Sequence, residues 1–231
     1  MLRAGHILCK VDDIHAAVRD FEELGFTMAW GGAPDWAHNA LLWFESGPFI
    51  ELFELPARFG LLRHPFALRH GRAAGERLAR WARPGEGWRD LALETDDTEL
   101  DGVRAELRAW GVTVSRVMKG ARTRPDGDRV RYQFLAPSPS CLPFVVSAYD
   151  PPQRPEKVLH PNGARGVARI GMAVAAADRT AYDALVGSDD PWIDARPSGR
   201  TGVRRVELHG LEDALDPVKL HGAWLAPARR D

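Results

Sequence analysis

One pattern of strands and helix occurs in residues 6–53 and occurs again in residues 88–150, and this internal repeat limits the fold more than any other feature of the chain. The first copy opens with HILCKVDD, where Ile7, Cys9 and Val11 alternate with His6, Leu8 and Lys10 in the two-residue period of a strand with two unlike faces. Asp12 or Asp13 caps a helix whose Ile14, Ala17, Val18, Phe21 and Leu24 form one apolar stripe, and Gly25 supplies the left-handed stop. FTMAWGG, HNALLWF and PFIELFEL then read as three short strands broken by Gly-Gly and Ser-Gly. The order is strand, helix, strand, strand, strand.

The second copy starts at Trp88. Asp96-Asp97 repeats Asp12-Asp13 at a distance of 84 positions, and Pro143-Phe144 repeats Pro48-Phe49. Leu100, Val103, Leu107 and Trp110 make its helix stripe, and VTVSRVM, RVRYQFL and LPFVVSAYD are its later strands. A sheet of this size cannot bury its apolar face alone, so the copies must pair. The predicted fold class is α+β: βαβββ modules at 4–55 and 88–150 forming an open barrel or cup, all within a single domain. Residues 56–87 are an Arg-rich connector with a short helix near Glu76–Trp81, either a solvated link or a grip for an acidic substrate or partner. A degenerate third unit with a tail occupies 160–231. Its VARIGMAVAAAD, a short helix around Tyr182 and Leu185, and the strand VRRVELHG are recognisable, and the rest is ambiguous between packing outside the cup and extending its sheet.

Within the fourth strand, Glu51 shares a face with Phe49 and Phe53 while Ile50 and Leu52 face the helix stripe. An acid placed inward among aromatic rings is costly unless paired, protonated or metal-bound. His6, on the face opposite Ile7 and Cys9, is positioned to meet it. An internal salt bridge from Glu51 to Lys10 or an arginine, and a hydrogen-bonded core histidine at His6, are the structural alternatives. Trp30, Trp36, Trp43, Phe49 and Phe53 supply aromatic surface for a largely apolar small molecule, or serve as ordinary core. His38 and Asn39 follow the GGAPDWA loop at the rim, where loop-borne polar residues often act on a ligand. His160 lies in HPNG, a second rim element or a plain turn between units.

The order of elements, His6 on a first strand, Glu51 on a fourth, and HNALLWF together with HPNGARGVARI resemble the glyoxalase-like branch of the vicinal oxygen chelate superfamily (glyoxalase, bleomycin resistance and dioxygenase proteins). The resemblance covers most of residues 4–210. It implies a lyase or isomerase acting on a small carbonyl-containing metabolite, or a metal-free protein that sequesters an aromatic ligand or drug. In the enzyme reading Glu51, His6 and His38 are catalytic, and Asn39, Trp43, Phe49, Phe53 and His160 bind substrate. The resemblance further implies one divalent metal ion of unspecified identity. Its ligands here are His6, Glu51 and, at the position matching His6 in the second copy, Asp90. Val146, at the position matching Glu51, cannot ligate, and an empty cup is the other reading. A homodimer is compatible with the family.

Composition excludes other classes. The net charge is −1, so no global basic field draws nucleic acid or anionic membrane. No apolar run approaches the roughly 20 residues of a membrane helix, and the chain enters a strand without a secretory h-region, predicting a cytoplasmic protein. Cys9 and Cys141 are not placed for a disulfide framework. There is no phosphate loop, GxSxG elbow, CxxC or dinucleotide fingerprint, so no nucleotide cofactor is expected.

Overall fold

The computed structural model describes residues 2–187 and 189–228. The first module runs β1 (Arg3–Val11), α1 (Ile14–Glu23), β2 (Ala29–Trp30), β3 (Asn39–Leu42) and β4 (Phe49–Glu54). Asp13 caps α1 by accepting from the Ala16 amide at 2.9 Å, and Ile14, Ala17, Val18 and Phe21 are its buried stripe. The connector contains two helices, α2 (Arg63–His70) and α3 (Arg72–Trp81), so it is more than a solvated link. The second module follows as β5 (Gly87–Glu94), α4 (Asp101–Ala109), β6 (Met118–Thr123), β7 (Arg129–Leu135) and β8 (Phe144–Val146). Two of its sequence features fall elsewhere than predicted. The strand expected at VTVSRVM starts only at Met118, because Val114 makes an isolated bridge to Pro137 and the ladder with β7 begins four residues on. Trp110, expected on the helix stripe, is exposed.

The eight strands form one curled half-barrel in the order β2-β3-β4-β1-β5-β8-β7-β6. Its two halves join through antiparallel pairing of β1 with β5, and in each module the last strand returns parallel to the first. Convex-face residues such as Ile7, Cys9, Ile50, Leu52, Leu91 and Leu93 enter the main core with α1 and α4, leaving the alternate residues for the cup.

The remaining strands are β9 (Gly166–Ala175), β10 (Ile193–Ser198), β11 (Gly202–His209) and β12 (Leu225–Pro227), with α5 (Arg179–Leu185) between β9 and β10. They form a second sheet, β10-β9-β11-β12. Its parallel, antiparallel, parallel sequence of pairings repeats that of β4-β1-β5-β8 at the centre of the half-barrel. Residues 166–228 therefore hold two abbreviated units where the sequence showed one, each reduced to its inner strands. Val167, Ile170, Met172, Val206, Leu208 and Leu225 pack into the same core as Ile7 and Leu91. Among the described residues no helix is long and apolar enough to cross a membrane.

Candidate functional site

The concave face of the half-barrel holds a cavity of about 160 Å³. Its floor comes from two neighbouring strands. β1 contributes His6 and Leu8, and β4 contributes Phe49, Glu51 and Phe53, all on the face opposite the core. Glu94 of β5 reaches the buried His6 without itself lining the cavity. His6 is almost fully buried, stacked on Phe49 at 4.7 Å and edge-on to Phe144 at 5.6 Å. Its Nε2 is 3.6 Å from Glu51 Oε2 and its Nδ1 is 3.3 Å from Glu94 Oε1. A single imidazole thus bridges two carboxylates. The inward orientation of Glu51 beside His6 follows the period-two expectation, and Lys10 does not take it, being paired with Asp12 at 2.7 Å.

Two glycines make the arrangement possible. Any Cβ on Gly5 would lie 2.2 Å from Glu94 Cγ, so the Glu94 side chain crosses β1 only because residue 5 has no side chain. A Cβ on Gly31 would lie 2.0 Å from Asn39 Oδ1. Asn39, settled there, donates from Nδ2 to Glu51 Oε1 at 2.8 Å and leaves Oε2 toward His6.

The roof comes from the connector and the second module. Trp81 on α3 stands over the cavity against Phe53 and Phe144. It is held by Asp90, which accepts from Trp81 Nε1 at 2.6 Å, pairs with Arg80 at 3.2 Å and with the fully buried Arg77. Tyr132 and Tyr149 line the cavity from the second module. Burial, followed by the negative charge of Glu94 and Glu51, holds the Tyr149 phenol well above its ordinary value, and burial followed by Glu51 raises Tyr132. Both phenols therefore remain hydrogen-bond donors at neutral pH.

The other sequence-derived site residues are distributed differently. Phe49 and Phe53 line the cavity, and Trp43 backs it, with its ring centroid 4.0 Å from that of Phe49. Trp36 is 82% exposed, and Trp30 packs against the main core beside His15. His38 is exposed and does not line the cavity; its carbonyl accepts from the Glu54 amide at 2.8 Å. His160 does not line this cavity. Its Nδ1 accepts from the Thr27 amide at 3.0 Å and its Nε2 donates to the Trp43 carbonyl at 2.8 Å, which makes it a buried clamp between loops.

Asp90 is not brought to His6 and Glu51, because the arginines of α3 claim it. The 84-residue offset also misplaces it. Pairing sets His6 opposite Phe49 and Ala92 opposite Phe144, so the counterpart of His6 is Ala92. Glu51 faces Leu8 and Val146 faces Glu94, so the second module carries its acid on β5 instead of β8. The ligand set implied by the family resemblance is thereby reduced to His6 Nε2 and Glu51, fewer than the three or four protein ligands of a typical metal centre. Among the described residues no group of three or more His, Cys, Asp or Glu side chains is arranged to hold a metal ion. The donors present do not fit a four-ligand centre shared between modules.

Glu94 went unrecognised in the sequence although its signal was there. In RDLALETDD it shares a face with Ala92 at the end of an apolar alternation, as Glu51 does in PFIELFEL. Trp81, Tyr132, Tyr149, Arg122 and Gln153 carry no comparable local pattern.

Paired βαβββ modules curled about an inward-facing His and Glu place this chain in the vicinal oxygen chelate superfamily. A family model described as a glyoxalase-like domain matches residues 5–186, and the chain belongs to that family. No curated protein matches it in sequence. A hypothetical protein from Staphylococcus aureus is similar in structure at TM-score 0.66 and 13% identity, over 91% of this chain and 92% of the other. The Mn(II)-bound glyoxalase from Novosphingobium aromaticivorans gives TM-score 0.54 at 13% identity, over 91% and 67%. The 2,3-dioxygenase LapB from Pseudomonas sp. KL28 gives TM-score 0.51 at 9% identity, over 91% and 75%. At such identities these likenesses show the shared fold alone.

Proposed function

We propose that the protein is an enzyme of the isomerase or lyase type that moves a proton at a carbon beside the carbonyl group of a small ligand held in the cup. The observation that carries this reading is the Glu51–His6 pair at the floor of an aromatic cavity, with Glu94 on the other ring nitrogen of His6. Glu51, with Oε1 fixed by Asn39, offers Oε2 as the base. His6 has one ring nitrogen toward each carboxylate, so a proton taken by Glu51 can be relayed to Glu94 without turning the ring. Tyr149 and Tyr132 donate to the substrate oxygen as negative charge develops on it. The aromatic walls limit water access, and a cavity of roughly 150 Å³ holds a benzene-sized molecule, so the substrate is small. That size disfavours sequestration of a bulky drug. The unpaired Cys9 and Cys141 suit the reducing cytoplasm.

Deuterium incorporation tests the reading. In D₂O, NMR follows exchange at the α-carbon of a panel of small oxo and hydroxy-oxo compounds. Exchange is expected with a subset of them, surviving chelator treatment and falling by at least about a hundredfold in Glu51→Gln. If no compound exchanges while aromatic molecules still bind, the cup is a binding site only, as its apolar walls also allow.

A further inference from the structure

We infer that Arg122 is the anchor for a carboxylate on the ligand, so that the cup takes small oxo-carboxylates. This deepens the proposed function, resting on it for the chemistry but not for the binding. β6 alternates exposed Lys119, Ala121 and Thr123 with inward Met118, Gly120 and Arg122, and Arg122 lines the cavity. β6 and β2 are the two open edges of the half-barrel. Arg122 closes the gap between them, donating to the carbonyl of Gly31 just beyond β2 and to the side-chain oxygen of Gln153.

Both partners are neutral. A guanidinium has five N–H donors in a planar fork and never loses its charge in proteins. Among the described residues, the protein supplies acceptors for two of those donors and no carboxylate. Arg77 and Arg80 of α3, by contrast, share Asp90. A half-buried cation facing a cavity, with no carboxylate paired to it among the described residues, is best satisfied by an anionic ligand. The floor sets its orientation. Glu51 and Glu94 repel a ligand carboxylate, Arg122 attracts it, and the uncharged carbonyl end is left beside His6 and the tyrosines. A planar monocarboxylate fits the fork in a cavity of about 160 Å³.

The test uses the wild-type protein with the near-isosteric probes phenylacetate and phenylacetamide, and with phenyl phosphate, read by calorimetry or by the fluorescence of Trp81 at the roof. Phenylacetate is expected to bind about tenfold more tightly than the amide, the scale of one charge-assisted hydrogen bond. Arg122→Gln should abolish the preference, and Arg122→Lys should retain part of it. Equal binding of acid and amide, no binding of the acid, tighter binding of phenyl phosphate, or a preference surviving Arg122→Gln would each overturn the inference. Because the wild-type preference is read without any variant, misfolding of a substituted protein does not obscure the outcome. Carboxylate binding through Arg122 without α-carbon exchange would refute the proposed chemistry and leave the anchor standing. Exchange of oxo-carboxylates that ignores Arg122→Gln would do the reverse.

Discussion

Single atoms decide whether the acid–imidazole–acid array exists. Gly5 is the clearest case, since a methyl group there would occupy the path of the Glu94 side chain. The chain end of Glu94 can swing away at modest cost, so Gly5→Ala is expected to fold while losing Glu94 from His6. α-Carbon exchange should then fall by about a hundredfold with little change in the thermal midpoint, and a fully active Gly5→Ala protein would show that Glu94 is dispensable. Asp90 is the opposite case, a residue of structure and not of chemistry. Removing it leaves Arg77 buried beside Phe144 with no counter-charge. Asp90→Ala should cost about 3–5 kcal/mol in urea unfolding, far more than an exposed ion pair is worth. The two cysteines are chemically quiet: burial pushes the Cys9 thiol up to about 12 and, with Asp178 adding to burial, Cys141 to about 11.

Elements are tied together by histidines that titrate in opposite senses. Burial lowers His160 below 6.5, against the opposing effect of its bond to the Trp43 carbonyl. Its neutral form is the one that fits, since Nδ1 must accept from Thr27. Its contribution is therefore complete above pH 6.5 and is lost as pH falls through the lowered value. For His221, burial acts downward first, but hydrogen bonds and charge from Glu86 and Asp20 outweigh it and raise the value above 6.5. It bridges Asp20 on α1 and Glu86 before β5, both at 2.9 Å, and that contribution is complete below pH 6.5 and lost as pH rises through the raised value. Thermal unfolding of His221→Asn across pH should show a deficit that is largest on the acid side and shrinks on the alkaline side. A deficit independent of pH would mean that the charge on His221 does not matter. α3 shows a further element-scale effect: its Arg77 and Trp81 turn inward and convert the connector into the roof of the cavity.

The whole molecule repeats one plan at two scales. The half-barrel has a full set of flanking strands that curl round a cavity, whereas the second sheet keeps only the four inner strands. On its face away from the core, Arg169, Asp194, Arg205 and Glu207 form ion pairs where the cup of the half-barrel would be. Its other face completes the core shared with the half-barrel. Neither layer buries its apolar side without the other. We therefore expect one cooperative urea transition for the whole chain and no native-like near-ultraviolet circular dichroism from a chain truncated after residue 159. Two separated transitions, or a folded truncated chain, would show that the second sheet is an independent unit.

Local periodicity determined the modules, the capped helix α1, the inward facing of Glu51 and its neighbourhood with His6. Each follows from alternation or from spacing along a single element, and a one-residue slip would have expelled Ile50 and Leu52 from the core. The same reasoning applied to β5 would have revealed Glu94. Tertiary structure decided the rest. An 84-residue offset cannot register one bulged strand against another, so Asp90 stood for Ala92 until the pairing with β8 was seen. His160 and Asp90 have the residue types of a site, but a pair of backbone groups and a pair of arginines, distant in sequence, claim them first. Arg122 lies in a polar stretch with no signal of its own, and it acquires a role only because curling of the sheet brings strands from its two ends together. Sequence periodicity records which face a side chain shares with its own element, whereas the partner across a cavity is fixed by how far the sheet twists and closes.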